Sequence, residues 1–273
     1  MSIIGGTINH ARSLVTAAAI CGGLLATDRL QAASLNVPNG SFESQSGVGQ
    51  PFGVNIFIDS WEKLPNPGIP EGGSNNFFWV QSAGAFLAMA PNSATPYSNL
   101  AGSQAAFVLS IPGAGLFQDN QSKDWSGAAN GLNATYQVGL AYNLTVGLFG
   151  KGMVDDFSAV QLSLYYRDGA NRVTIGTPTT VTFDTSIFNP AGPFSLIDYS
   201  VDIPQVQAGD PWANQNIGIQ IASIQGTGQG YWDMDNVRLT STVPEPAPLA
   251  LAAVGVSVLA LMRLRSRAPS RVG

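Results

Sequence analysis

Apolar and polar residues alternate along much of the chain. In residues 158–167, Val160, Leu162 and Leu164 share one face while Gln161 and Ser163 share the other. A period of two is typical of a strand with one face towards a core and the other towards water. The same alternation, or a β-branched composition, occurs in residues 142–149, 172–175, 179–183, 196–203, 217–221 and 231–240.

Shorter apolar runs precede these segments, at residues 35–37, 54–61, 77–80, 85–89 and 104–111. Stretches rich in Gly, Pro, Ser and Asn separate them, and such residues favour turns and loops. No segment has a sustained helical period, and no repeat of 20 to 50 residues is present. The pattern therefore predicts an all-β protein, a single antiparallel β-sandwich of the jelly-roll type.

Two apolar runs near the ends do not fit this alternation. Residues 13–26 are mostly small and apolar, the charged pair Asp28 and Arg29 follows them, and Ala32 and Ala33 supply small residues for cleavage. This layout predicts a secretory signal peptide over residues 1–33, which leaves residues 34–242 as the mature domain.

The second run covers 16 residues, 247–262. As a helix it would be ~24 Å long against ~30 Å of bilayer hydrocarbon, so it spans only marginally, and the arginines after it favour the cytoplasmic side. Composition alone is compatible with an ordinary membrane anchor. A proline-containing triplet precedes the run and a basic cluster follows it: Pro244, Glu245, Pro246, Arg263, Arg265 and Arg267.

This order of triplet, apolar helix and basic end resembles the PEP-CTERM sorting signal of Gram-negative bacteria, over residues 243–267. The resemblance implies passage through the inner membrane, recognition and cleavage by an exosortase, and delivery to the cell surface or extracellular matrix. It also implies a role connected with exopolysaccharide and biofilm material. Residues 268–273 would then be a basic tail.

Composition excludes several kinds of chemistry for residues 34–242. The single Cys and the single His, Cys21 and His10, both lie in the predicted signal peptide. Disulfides, Cys or His zinc sites and catalysis by His or a thiol are therefore excluded from the mature domain. The domain has 15 acidic residues and six basic ones, a net charge of −9. Such a surface repels nucleic acid, so no nucleic-acid partner is expected.

A second resemblance involves residues 39–43 (NGSFE), Trp61-Glu62 and residues 232–239 (WDMDNVRL). These segments resemble the first and last strands of jelly-roll carbohydrate-binding modules and galactose-binding-like domains. The resemblance implies a structural Ca²⁺ held by Glu43 and Asp235, and the carbonyl of Ser41 is a candidate third ligand. Ca²⁺ prefers oxygen ligands, which a domain without His and Cys has available. The alternative is that backbone N–H groups cap both carboxylates.

Aromatic side chains in or beside polar segments are the candidates for sugar binding, because flat rings stack on pyranose rings. Trp61 and Trp232 are instead predicted to lie in the core. The binding candidates are Trp79, Trp125, Trp212 and Tyr165, the last on the polar face of its strand.

The sequence therefore predicts an exported, non-catalytic protein that associates with polysaccharide. One alternative is a purely structural matrix protein without a ligand. A less favoured alternative is a glycoside hydrolase, which would need two carboxylates at a suitable separation. Asp233 with Asp235, or Asp155 with Asp156, are the pairs available for it.

Overall fold

Antiparallel pairing of strands organises the part of the chain that the computed structural model describes, residues 32–44, 54–69, 73, 77–88, 97–124, 126–151, 154–188 and 194–244. Residues Ala32–Val243 form one compact unit. Its strands are β1 (Ala33–Leu35), β2 (Val54–Asn55), β3 (Glu62–Lys63), β4 (Ala83–Leu87), β5 (Gln104–Leu109), β6 (Gly115–Gln118), β7 (Ala141–Lys151), β8 (Ala159–Asp168), β9 (Asn171–Thr182), β10 (Ile197–Ile203), β11 (Gly218–Gln225) and β12 (Tyr231–Thr242).

The strands form two sheets. The large sheet has the order β10-β7-β12-β5-β4-β2, with β1 also paired to β12. The small sheet has the order β3-β6-β11-β8-β9. The prediction of an all-β antiparallel sandwich is confirmed. β12, the last strand, lies at the centre of the large sheet, where it pairs with both β5 and β7.

The main hydrophobic core combines inward-facing side chains of both sheets. Leu144 and Leu148 of β7 belong to the same cluster as Leu162 of β8 and Ile219 of β11. Alternate residues of these strands point away from the core, so each sheet also has an outer face. A smaller apolar cluster lies on the outer face of the small sheet and consists of Leu64, Phe117, Tyr165 and Ala222.

Some local predictions differ from the structure. Residues Phe77–Val80 form a single turn of helix, α1, and the run 54–61 contains only the two-residue strand β2. The predicted strands 172–175 and 179–183 are one strand, β9, with a register irregularity against β8. Within the described residues, no helix is long and apolar enough to cross a membrane.

The predicted signal peptide up to residue 31 and the sorting segment after Pro244 lie outside the described residues. Their assignment stays a prediction from the sequence.

Candidate functional site on the outer face of the large sheet

A buried carboxyl group lies on the outer face of the large sheet. Alternation along β12 directs Trp232 towards the core and Tyr231 and Asp233 away from it. Asp233 is fully buried, and Tyr97 donates a hydrogen bond from Oη to its Oδ2 at 2.7 Å. Tyr97 lies between β4 and β5, so a residue distant in sequence covers the central strand.

Aromatic rings extend over the sheet around this carboxyl group. Asp233 lies directly opposite Phe107 of β5 and Phe149 of β7. Ring centroids in this set are 5.3 to 6.5 Å from their neighbours, a range at which rings pack favourably. We call this set the aromatic face: Phe86, Tyr97, Phe107, Phe149, Phe194 and Tyr231.

The aromatic face is only partly covered. Tyr97 and Phe149 are buried, whereas Phe86, Phe107 and Tyr231 are half-buried and form a continuous run of rings. Phe107 lies across Gly84, where a Cβ atom would come within 2.7 Å of the ring. A glycine on the neighbouring strand therefore lets this ring lie against the sheet.

The electrostatics of the site keep its phenol groups protonated. Burial raises the pKa of Tyr97 well above its ordinary value, and the negative charge of Asp233 adds to that effect. Burial also raises the pKa of Tyr231, again with a contribution from Asp233. Both phenol groups therefore keep their protons at neutral pH and can donate hydrogen bonds, as Tyr97 does to Asp233.

Two chain segments hold the site closed on one side. Ser98 and Ser195 form a parallel bridge, and Asn99 donates to the carbonyl of Leu196 at 3.0 Å. Asn236 in turn donates to Oδ1 of Asn99 at 3.1 Å. These bonds fix the segment after Tyr97 to the central strand and to the segment before β10.

The predicted calcium ligands Glu43 and Asp235 both face the segment from Ala101 to Gln104. Glu43 Oε1 accepts hydrogen bonds from the backbone N–H groups of Ser103 (2.7 Å) and Gln104 (2.6 Å). Asp235 Oδ2 accepts one from the backbone N–H of Ala101 at 2.5 Å. Backbone N–H groups therefore cap one oxygen of each carboxylate, as the alternative to calcium binding predicts.

Two oxygen atoms in the same region remain available to a cation. Asp235 Oδ1 and Gln104 Oε1 are buried and have no hydrogen-bond partner. Burial raises the pKa of Asp235 to about 7, and the charge of Glu43 adds a smaller upward effect. Ser41 lines a shallow polar groove of about 350 Å³ together with Asn236. The donor set suits Ca²⁺, although no cluster of three Asp, Glu, His or Cys side chains occurs among the described residues.

The structure places the predicted sugar-binding aromatics differently from the expectation. Tyr165 is buried, and its hydroxyl donates to Asp119 Oδ2 at 2.6 Å. Trp79 is also buried, in α1, where its Nε1 donates to the carbonyl of Leu64 at 2.9 Å. The prediction that these two rings are exposed is wrong, because each covers part of a core. Trp212 is half-buried against the main core, and Trp125 lies outside the described residues.

The placement of Trp61 and Trp232 in the core is confirmed. Sequence reasoning missed Phe107 and Phe149, which the alternation directs to the outer face. An aromatic residue on the expected polar face of a strand was the available signal. Asp155, proposed for a hydrolase pair, accepts a hydrogen bond from Thr227 in a surface loop.

Comparisons with known proteins give a likeness in fold. No family model matches the chain, and no curated protein matches it. A cyclase from Fischerella sp. TAU is 23% identical, covers 79% of this chain and 100% of its own, and has a TM-score of 0.54. The Stig cyclase Fisc from the same organism, in complex with (3Z)-3-(1-methyl-2-pyrrolidinylidene)-3H-indole, is 22% identical over the same shares, with a TM-score of 0.54. A CBM22-1 xylan-binding domain from Paenibacillus barcinonensis Xyn10C is 6% identical over 80% of this chain and 99% of its own, with a TM-score of 0.39.

The likeness to the cyclases overturns one prediction. The absence of His and Cys from residues 34–242 supported the prediction that the protein is not an enzyme. The two cyclases share this fold over their whole length. Neither the size of the domain nor its two-sheet architecture therefore argues against catalysis. The prediction of a non-catalytic protein is therefore wrong.

Proposed function

We propose that the protein is an exported β-sandwich that binds polysaccharide on its aromatic face. The observation that supports this most is the run of half-buried rings formed by Phe86, Phe107 and Tyr231 beside the buried Asp233. Sugar rings stack on aromatic side chains, and their hydroxyl groups hydrogen-bond to acceptors such as a carboxylate. On this sheet face the half-buried rings supply the stacking surface, and the fully buried Asp233 holds Tyr97 in place beneath it.

The export part of the proposal is supported by the sequence of residues 1–33 and 243–267. In this proposal an exosortase processes the tail near Pro244 and releases the domain to the cell surface or matrix. Mass spectrometry of the native protein tests it. Loss of both ends is expected, and recovery of the intact chain from the cytosol would contradict it.

Binding is tested with residues 32–243, which form a compact unit with its own core. Affinity electrophoresis in gels that contain neutral polysaccharides should retard the wild-type protein. Phe107→Ala should weaken this retardation by about tenfold, because a stacking ring is lost. The matched control is Phe157→Ala, since Phe157 is 74% exposed before β8 of the small sheet.

Equal retardation of the Phe107 and Phe157 variants, with unchanged thermal unfolding, would rule out the aromatic face as the binding site. No retardation by any polysaccharide would favour the structural matrix protein without a ligand.

A second candidate function is acid catalysis at the same face, which the Tyr97–Asp233 pair favours. A buried carboxyl group fixed by a phenol is placed to exchange a proton with a ligand held by aromatic rings. One cyclase of the same fold binds an indole compound, and a flat aromatic ligand of that kind would suit the aromatic face here.

The test uses 4-(1H-indol-3-yl)butan-2-one, the ligand in another cyclase structure, as a binding probe. Calorimetry should detect binding to the wild-type protein and weaker binding to Phe107→Ala. Competition with polysaccharide would place both ligands on one face. Absence of binding at millimolar probe would contradict this second candidate and leave the polysaccharide proposal unaffected.

We also propose that Ca²⁺ stabilises the domain near Glu43 and Asp235. The free oxygen atoms Asp235 Oδ1 and Gln104 Oε1 support this proposal. Glu43 and the carbonyl of Ser41 would complete the ligand set, and the ion would hold the first turn of the domain against the central strand.

A further inference from the structure

Two segments that are distant in sequence cover part of the outer face of the large sheet. A parallel bridge and two backbone hydrogen bonds, of 3.0 and 3.1 Å, join residues 97–99 to residues 194–196. We call these two stretches the covering segments. Each begins with a ring of the aromatic face, Tyr97 in one and Phe194 in the other, and the two ring centroids are 5.3 Å apart. The covering segments therefore supply part of the site themselves.

The aromatic face is buried on one side of Tyr97 and open on the other. Towards β7, the ring centroid of Phe149 lies 6.0 Å from that of Tyr97, and Phe149 is 2% exposed. Towards β2, Phe86 and Phe107 are half-buried. Val54 lies opposite Phe86 in the register of β2 and β4 and is 42% exposed. The Tyr97 ring is in edge contact with Phe86 at 6.5 Å, so Tyr97 marks the boundary that a ligand on the open rings would meet.

One side chain, the amide of Asn99, fixes the covering segments to the sheet. Its Nδ2 donates to the carbonyl of Leu196 at 3.0 Å and to Oδ1 of Asp198 at 2.7 Å. Its Oδ1 accepts a hydrogen bond from Nδ2 of Asn236 at 3.1 Å. Leu196 belongs to the second covering segment, Asp198 to β10 and Asn236 to β12. A single amide thus joins the two covering segments to each other and to two strands.

The backbone at Asn99 suits an asparagine. Its φ angle is 62°, in the left-handed region that asparagine tolerates better than most residues and glycine best of all. A Cβ atom on Gly147 of β7 would lie 3.5 Å from Asn99 Nδ2 and 3.2 Å from Leu196 Cβ. The covering segments therefore lie directly on β7 at this residue. A glycine in place of Asn99 would keep the turn and remove only the amide.

We propose that Asn99 is a positioning residue for the aromatic face. Without its three hydrogen bonds the covering segments are held to the sheet less tightly, and Tyr97 no longer forms a fixed boundary beside Phe86. A ligand must then order this boundary when it binds, which costs affinity. Asn99 itself touches no ligand and acts through Tyr97 and Phe194. The inference rests on the proposed binding at the aromatic face and assigns the residue that keeps that face in shape.

The experiment compares Asn99→Gly with Asn214→Gly in residues 32–243. Asn214 also has a left-handed backbone, with a φ angle of 63°, and is exposed between β10 and β11. It therefore provides the same chemical change away from the site. Asn99→Gly should weaken the retardation by neutral polysaccharide about fivefold, and Asn214→Gly should leave it unchanged. Asn236→Gly removes only the bond to Asn99 Oδ1 and should give a smaller change in the same direction.

Nitration by tetranitromethane reports the position of Tyr97 without a ligand. Tyr97 is buried, and burial raises its pKa, so it should react slowly in the wild-type protein. In Asn99→Gly it should react about tenfold faster, because the segment that carries it opens more often. Tyr166, half-buried on the small sheet, is the internal reference and should react at one rate in all variants. Mass spectrometry of the digested protein measures both tyrosines.

A double variant tests whether Asn99 acts through the covering segments. Phe194→Ala and Asn99→Gly should weaken polysaccharide binding less than additively when combined, since both alter the same wall of the site. Fully additive losses would contradict the proposal. A purely structural role of Asn99 would lower the unfolding temperature and leave this coupling at zero.

The outcomes separate this inference from the proposed function. Faster nitration of Tyr97 with unchanged affinity would overturn the inference and leave binding at the aromatic face intact. Slow nitration of Tyr97 in Asn99→Gly would also overturn it, because Tyr97 would then be held without the amide. Absence of retardation in the wild-type protein would instead refute the proposed function, and the nitration rates alone would decide whether Asn99 positions Tyr97.

Discussion

Each sheet of the sandwich carries a buried tyrosine–aspartate pair on its outer face. Tyr97 donates to Asp233 at 2.7 Å on the large sheet, and Tyr165 donates to Asp119 at 2.6 Å on the small sheet. In both places an aromatic ring lies across a glycine of a neighbouring strand. The two sheets therefore share one arrangement: a buried tyrosine–aspartate hydrogen bond and an aromatic ring packed over a glycine.

The surroundings of the two pairs differ. Asp119 also accepts from Arg167 Nε and from the backbone N–H of Gln121, so its charge is compensated where it is buried. Asp233 lies among aromatic rings, four of which are half-buried and reach the surface. Removing one partner of a buried, compensated carboxylate destabilises a fold, whereas the fully buried Asp233 fixes Tyr97 beneath rings that reach the surface. The comparison assigns the small-sheet pair to structure and the large-sheet pair to recognition.

The sharpest test removes the cation from the structural pair. Arg167→Leu leaves Asp119 buried without its guanidinium partner, and we expect the free energy of unfolding to fall by about 3 to 5 kcal/mol. Urea denaturation at pH 7 measures the change. The control is Arg238→Leu, because the ion pair of Arg238 with Asp198 is exposed and should contribute less than about 1 kcal/mol. An equal loss of unfolding free energy in the two variants would mean that the buried charge of Asp119 is not stabilised by Arg167.

The second test concerns Asp235, the other buried carboxyl group of β12. Its pKa is about 7 in the folded protein against an ordinary value of 3.8. The protonated form is therefore favoured by folding, so its stabilisation is complete below pH 4 and is lost as the pH rises towards 7. Asp235→Asn should unfold like the wild-type protein at pH 4 and be more stable by roughly 4 kcal/mol at pH 8.

Calcium gives this test a second readout. If Ca²⁺ binds at Glu43 and Asp235, added calcium raises the unfolding temperature of the wild-type protein at pH 8 and leaves Asp235→Asn unchanged. Magnesium serves as the control ion, because it demands a stricter geometry. An equal effect of calcium on both proteins would place the ion elsewhere.

The sequence predicts the sandwich well because a period of two is a local property. The alternation in β7 and β8 identifies which residues enter the core, and Leu144 and Leu162 are buried as expected. The burial of Trp61 and Trp232 also follows from their position beside or within strands. None of these predictions needs to know which strands are neighbours.

The candidate site depends on pairings between distant parts of the chain. Asp233 meets Tyr97 across 136 positions of sequence, and no local pattern encodes that contact. Tyr165 was assigned to a polar face and lies there, but it packs into the small apolar cluster with Leu64, Phe117 and Ala222 and is buried. The alternation along a strand predicts on which face of the sheet a residue lies. It does not predict whether other parts of the chain cover that face.

The smallest expected effect comes from removing the same hydroxyl group at both sites. Tyr165→Phe and Tyr97→Phe each delete one hydrogen bond to a buried carboxyl group, and each should cost about 1 kcal/mol of stability. If the two pairs differ in role, only Tyr97→Phe also weakens binding at the aromatic face, because only that hydroxyl fixes a carboxyl group beside the half-buried rings. Denaturation and affinity electrophoresis on the two variants measure both quantities. A loss of neutral polysaccharide binding in Tyr165→Phe as large as in Tyr97→Phe would show that the sheets act together, and the separation into a structural and a recognition face would fail.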